Sequence, residues 1–101
     1  MENNKTVFVD VDDTLIRSVG SKIIPNTRVI EKVRMLHQKG MTIIVWSTAG
    51  SEYAKRISEN IGISEIISFY FTKPQYIIDD QEIDKWLNTK VIHPLQIEEI
   101  K

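Results

Sequence analysis

Three aspartates crowd the end of one short apolar run. The stretch VFVDVDDTL, residues 7–15, sets Asp10, Asp12 and Asp13 together and follows them with Thr14. Carboxylates this close are costly unless a cation or a shared proton relieves them. A second pair, Asp79 and Asp80, closes the run Tyr76 to Ile78. Asp10, Asp12, Asp79 and Asp80 could together enclose a hard cation through oxygen ligands. Mg²⁺ is the usual occupant where positions stay open for water and phosphate oxygens. A carboxylate in such a place is also a nucleophile toward phosphorus. Asp10 is the expected nucleophile. Asp12, two residues on, is placed to protonate the leaving oxygen and later to deprotonate water. Phosphoryl transfer also needs donors and positive charge around the equatorial oxygens. Ser47 and Thr48, with the amides of Thr48 and Ala49, supply donors, and Lys73 supplies the charge. Singly, each is ordinary, since hydroxyls cap turns, Asp-Asp marks turns and a lysine before proline is usually surface. Their order along the chain carries the argument.

The elements that must position these groups follow from periodicity. Thr6 to Val11, β-branched and aromatic, reads as a buried strand. Leu15 to Pro25 reads as a hairpin or flap turning at Val19-Gly20-Ser21. With Asn26 or Thr27 as N-cap, Val29, Ile30, Val33, Leu36 and His37 repeat at helical spacing up to Gly40. Met41 to Trp46 is a second strand that runs into the loop Ser47 to Gly50. A second helix starts near Ser51, turns Ala54, Ile57 and Ile61 inward, and stops at Gly62. Ile66 to Phe71 is expected as a third strand, Tyr76 to Ile78 as a fourth, and Val91 with Ile92 as an edge strand. Ile83 to Leu87 reads as one or two helical turns, and Gln96 to Lys101 as weakly helical. Alternating strands and helices predict an α/β fold, a parallel sheet with helices on both faces. Ligands of such sheets bind at the carboxyl ends of the strands, where Asp10, Asp12, Ser47, Thr48, Asp79 and Asp80 are expected.

Bulk properties narrow the setting. A chain of 101 residues fits one domain, 1–101, large enough for a core without staples. The net charge of -1 gives no general attraction to nucleic acid or anionic membrane. Lys22, Arg28, Lys32, Arg34 and Lys39 read as a solvated helix face. There is no cysteine, which excludes disulfides, thiolate nucleophiles and cysteine-held metals. The polar N-terminus and the absence of an apolar run of about 20 residues argue against a signal peptide or anchor, so a cytoplasmic protein is expected. His37, Trp46, Tyr70 and Phe71 read as core or boundary packing, and Trp86 as packing of the C-terminal segment.

Four segments together resemble the four motifs of the haloacid dehalogenase superfamily of phosphohydrolases. VFVDVDDTL is similar to motif I, IIVWST to motif II, the Lys73 of FTKP to motif III and YIIDD to motif IV. The likeness spans Val7 to Asp80. It implies a three-layer Rossmann-like sheet of order 5-4-1-2-3, Mg²⁺ dependence and an aspartyl-phosphate at Asp10. It further implies metal contacts from the Asp10 side chain, the Asp12 carbonyl and a motif IV aspartate, with Asp80 favoured over Asp79, and a bracing role for Thr14. The intervals between motifs leave no room for a cap domain. A capless phosphomonoesterase suits a substrate whose own body covers the pocket, or a homo-oligomer whose neighbour acts as lid. A phosphorylated small molecule is favoured over a macromolecule, and selection falls to Arg17 to Lys22 and the loop after Ser47. Two other readings compete: a domain that binds phosphate or a partner without turnover, and a signalling receiver domain. The receiver requires a carboxylate at the end of the third strand, where the sequence reads SFYFT.

Overall fold

The structure, a computed structural model, describes residues 5–101. Strand β1 (Thr6–Asp10) leads through a tight loop into a hairpin of β2 (Ile16–Val19) and β3 (Lys22–Pro25). Helix α1 (Thr27–Gln38), strand β4 (Thr42–Ser47), helix α2 (Ser51–Asn60) and strand β5 (Phe69–Thr72) follow. Asn26 caps α1 by accepting from the Val29 amide, and Gly40 leaves it at a positive φ of 90°. The hairpin turns at Gly20, whose φ is 61°.

The strands β1, β4 and β5 form one parallel sheet in the order β1-β4-β5. Two right-handed crossovers that step the same way across a sheet deliver both helices to one face. Val29, Val33 and Leu36 of α1 and Ala54 and Ile57 of α2 accordingly join Val9, Ile43 and Val45 in a single core. A 3₁₀ turn at Pro94–Glu99 lies against α1, held by an Arg28–Glu98 ion pair and by Ile97, which is buried.

The layering differs from expectation. Among the described elements the helices cover one face, so the sheet is half of a two-layer arrangement rather than the middle of three. The other face carries Phe8, Trp46, Phe69 and Phe71, packed ring to ring. Phe8, Phe69 and Phe71 stay 46%, 55% and 44% exposed, and Trp46 is half-buried. Phe71 and Trp46 are therefore not interior, and His37 is exposed at the helix end.

The outer two strands of the expected order are also absent among the described residues. The third strand starts three residues late because Ser64–Ile66 forms a 3₁₀ turn, with Ile67 donating to the Ser64 carbonyl. Tyr76 to Ile78 forms no strand, and Tyr76 and Ile78 are almost fully exposed. Reach explains this. With β5 paired to Thr72, the stretch from Thr72 to Tyr76 spans at most about 14 Å, whereas a parallel strand beyond β1 would lie three strand spacings, about 14 Å, across the sheet from β5 and would also have to begin back at the sheet's amino end. Val91 and Ile92 form no strand either, and Ile83 to Leu87 reduces to a 3₁₀ turn at Ile83–Lys85.

Candidate active site

Parallel pairing brings the carboxyl ends of β1, β4 and β5 to one rim. Asp10 lies level with Trp46, and Ser47 with Thr72. Beyond β1 the chain closes on itself at once. The Val11 carbonyl accepts from the amides of Thr14, Leu15 and Ile16 at 3.2, 2.9 and 3.2 Å. Asp13 turns through the left-handed region at φ 62°, a conformation that aspartate tolerates better than most residues. Its amide donates to the Ile16 carbonyl at 2.8 Å. Leu15 and Ile16, fully buried, anchor the loop in the core. Asp10 and Asp12 are thus presented at the rim while Asp13 remains exposed in the turn.

Lys73 meets the charge of the Asp10 carboxylate. Its amide donates to the Ser47 carbonyl at 3.0 Å, which fixes the residue to the end of β4. Its side chain passes the Trp46 ring, with Nζ 5.8 Å from the ring centroid. It ends as an ion pair with Asp10 Oδ1 at 3.0 Å, both side chains about one-third exposed (31% and 35%). Thr14 Oγ1 donates to Asp10 Oδ2 over a long 3.4 Å. Asp12 is held from elsewhere: Tyr53 on α2 donates its hydroxyl to Asp12 Oδ1 at 2.7 Å. That bond to the carboxylate, more than burial or the charge of Asp12, holds the Tyr53 phenol above its ordinary value, with Arg56 pulling weakly the other way.

Ser47 is buried, and its Oγ accepts from the Ala49 amide at 3.0 Å. The serine therefore braces the loop, and the Ala49 amide, expected as a phosphate donor, is already engaged. Thr48 is exposed on that loop. Thr72 Oγ1 accepts from the Ser51 amide at 3.0 Å, tying the end of β5 to the first turn of α2. The end of β5 offers Thr72 and Lys73 and no carboxylate, so the arrangement lacks the group that a receiver site requires.

Asp79 and Asp80 do not join this cluster. They line a shallow hollow of about 450 Å³ with Gln81, Trp86, Leu87 and Thr89. Asp79 Oδ1 is occupied there as the acceptor of the Gln81 amide at 2.8 Å. Among the described residues no group of three or more acidic or histidine side chains is placed to hold a metal ion. Of the four carboxylates, Asp10 is paired with the Lys73 ammonium and Asp12 with the Tyr53 hydroxyl. A second cleft, about 290 Å³, runs under the flap between Asp13, Ile16, Arg17, Ile24, Pro25 and Asn26. Neither hollow is lined by Asp10 or Lys73.

Of the residues singled out from the sequence, Thr14 and Lys73 both touch Asp10 at the rim; Tyr53, which touches Asp12, and Thr72, which touches the Ser51 amide, are not among them. Tyr53 sits in the first turn of α2 just after the loop at Ser47, and that position was its one legible signal. No protein-family model, curated protein or solved structure matches this chain. Among the described residues, no helix is long and apolar enough to cross a membrane.

Proposed function

We propose that the protein is a capless phosphomonoesterase of the haloacid dehalogenase type, acting on a small phosphorylated molecule through an aspartyl-phosphate at Asp10. The observation that carries this reading is the Lys73–Asp10 ion pair across the strand ends, with Asp12 and Thr14 beside it. A strand-end carboxylate clamped on one oxygen keeps the other available for in-line attack. Asp10 Oδ2, touched by Thr14 at 3.4 Å, is that oxygen.

In the first half-reaction Asp10 Oδ2 bonds to phosphorus and the ester P–O bond breaks. The Asp12 carboxyl passes its proton to the departing oxygen. In the second, water attacks the phosphoryl group, Asp12 takes its proton, phosphate leaves and Asp10 is restored. Lys73 offsets charge on the phosphoryl oxygens throughout. Ser47 shapes the adjoining loop, on which Thr48 is exposed. The Mg²⁺ dependence implied by the resemblance belongs to the same proposal, but no step above passes through the ion.

Hydrolysis of p-nitrophenyl phosphate at neutral pH, with Mg²⁺, with EDTA, and with Asp10→Asn as control, tests the reading. Turnover that requires Asp10 supports it, and turnover that survives Asp10→Asn overturns it. Asp79 and Asp80 line a hollow whose lining does not include Asp10, which favours a second reading, a domain that binds phosphate or a partner without turnover. Binding of a phosphate analogue to a protein with no Asp10-dependent hydrolysis would select that alternative.

A further inference from the structure

We infer that Tyr53 is a positioning residue for the proposed phosphoryl transfer, holding Asp12 in the orientation from which it exchanges its proton with the leaving oxygen and with water. The inference rests on the phosphatase reading above. Asp12 is exposed on a loop just past β1 and, without a partner, would sample several rotamers. A general acid must stay within hydrogen-bond reach of its target, and a misplacement of about 1 Å costs on the order of 10²-fold. Tyr53 supplies the missing restraint through its 2.7 Å bond to Asp12 Oδ1, which leaves Oδ2 as the oxygen that faces the substrate.

The post that carries Tyr53 is rigid for identifiable reasons. Ala54 and Ile57, next to it on α2, are buried in the core. The Tyr53 ring is half-buried and packs on that core, and the Arg56 guanidinium lies 5.3 Å from its centroid on the outer side. The first turn of α2 is tied to Thr72 through the Ser51 amide. Thr72 directly precedes Lys73. One helical turn thus holds both the acid at Asp12 and the strand end that delivers Lys73 to Asp10. Tyr53 keeps its proton throughout: the raised phenol titration keeps it a donor at neutral pH.

The test is a double-mutant cycle on the full chain with p-nitrophenyl phosphate, using Tyr53→Phe, Asp12→Asn and the pair. Phe keeps the ring and its packing and removes the hydroxyl. Tyr53→Phe should lower kcat about tenfold with KM within about twofold, and should cost nothing further in the Asp12→Asn background. An equal loss in both backgrounds, or no loss in the parent, overturns the inference. The carboxyl ¹³C resonance of Asp12, identified by its disappearance in Asp12→Asn, should shift in Tyr53→Phe. An unmoved resonance shows that the contact is not made in solution and overturns the inference even where turnover is present. A shifted resonance in a protein without Asp10-dependent turnover places the failure in the phosphatase reading, and the catalytic role of Tyr53 falls with it.

Discussion

Replacing Lys73 by methionine removes the ammonium and keeps a stem of similar length against Trp46, so it isolates the charge. At the 3.0 Å separation from Asp10, Coulomb's law gives about 1.4 kcal/mol at the dielectric of water and about 5.5 kcal/mol at an effective value near 20. With both side chains about one-third exposed, solvent screening and the ordering of a long side chain reduce this to about 1 kcal/mol of net stability. On the proposed mechanism the kinetic effect is larger, because the ammonium offsets charge on the phosphoryl oxygens in a site where it is fixed beforehand. Loss of one such group costs about 3 kcal/mol, or roughly 10²-fold in kcat/KM. Urea unfolding and p-nitrophenyl phosphate kinetics measure the two effects on the same variant. Raising the salt concentration should shrink the stability difference. A Lys73→Met protein that keeps kcat/KM within twofold of the parent would remove Lys73 from the site and refute the reasoning.

The remaining predictions concern chemistry, layering and pH. Asp10→Asn should abolish turnover, whereas Asp12→Asn should slow it while phosphate still binds; steady-state kinetics and phosphate-analogue titration separate them, and equal residual rates would contradict the assigned roles. Ile43→Ala, in the fully buried centre of the sheet, should cost about 3 kcal/mol in urea unfolding, while Phe69→Ala on the open face should cost less than about half of that. A comparable cost for both would show that the aromatic face is covered in solution. The raised Tyr53 phenol means that the folded protein retains a proton the unfolded chain loses above its ordinary value of 10.0. Its stabilising share is complete below that pH and is lost as pH rises from there through the folded value. Tyr53→Phe should flatten this alkaline slope in pH-dependent unfolding.

Local pattern made most of the sheet's covered half legible. Apolar residues at helical spacing located α1 and α2, β-branched runs located β1 and β4, and Gly20, Gly40 and Gly62 marked the turn and stops. What pattern could not supply was reach. YII has every local mark of a strand, but a strand needs a partner edge, and three residues after Thr72 do not bring it to β1. The two carboxylate pairs stand in different surroundings: Asp10 is met by Lys73, and Asp79 and Asp80 line a separate hollow. Tyr53 escaped notice because a tyrosine in a first helical turn usually packs, and its bond to Asp12 joins residues 41 positions apart. The layering was misjudged for a related reason: Phe8, Phe69 and Phe71 have core composition, and composition does not say which face a helix will cover.

The chain contains two tryptophans, Trp46 and Trp86. Trp46 holds the Lys73 ammonium 5.8 Å from its ring centre, on the rim where that ammonium meets Asp10. A cation at that range perturbs the excited indole, so emission from Trp46 reports where Lys73 is. A ligand that draws the lysine toward a phosphoryl group changes the signal without a label. Trp86, in the separate hollow beside Asp79 and Asp80, can be replaced by phenylalanine to leave a single emitter. On the proposed mechanism the Trp46 emission then reads out occupancy of the site.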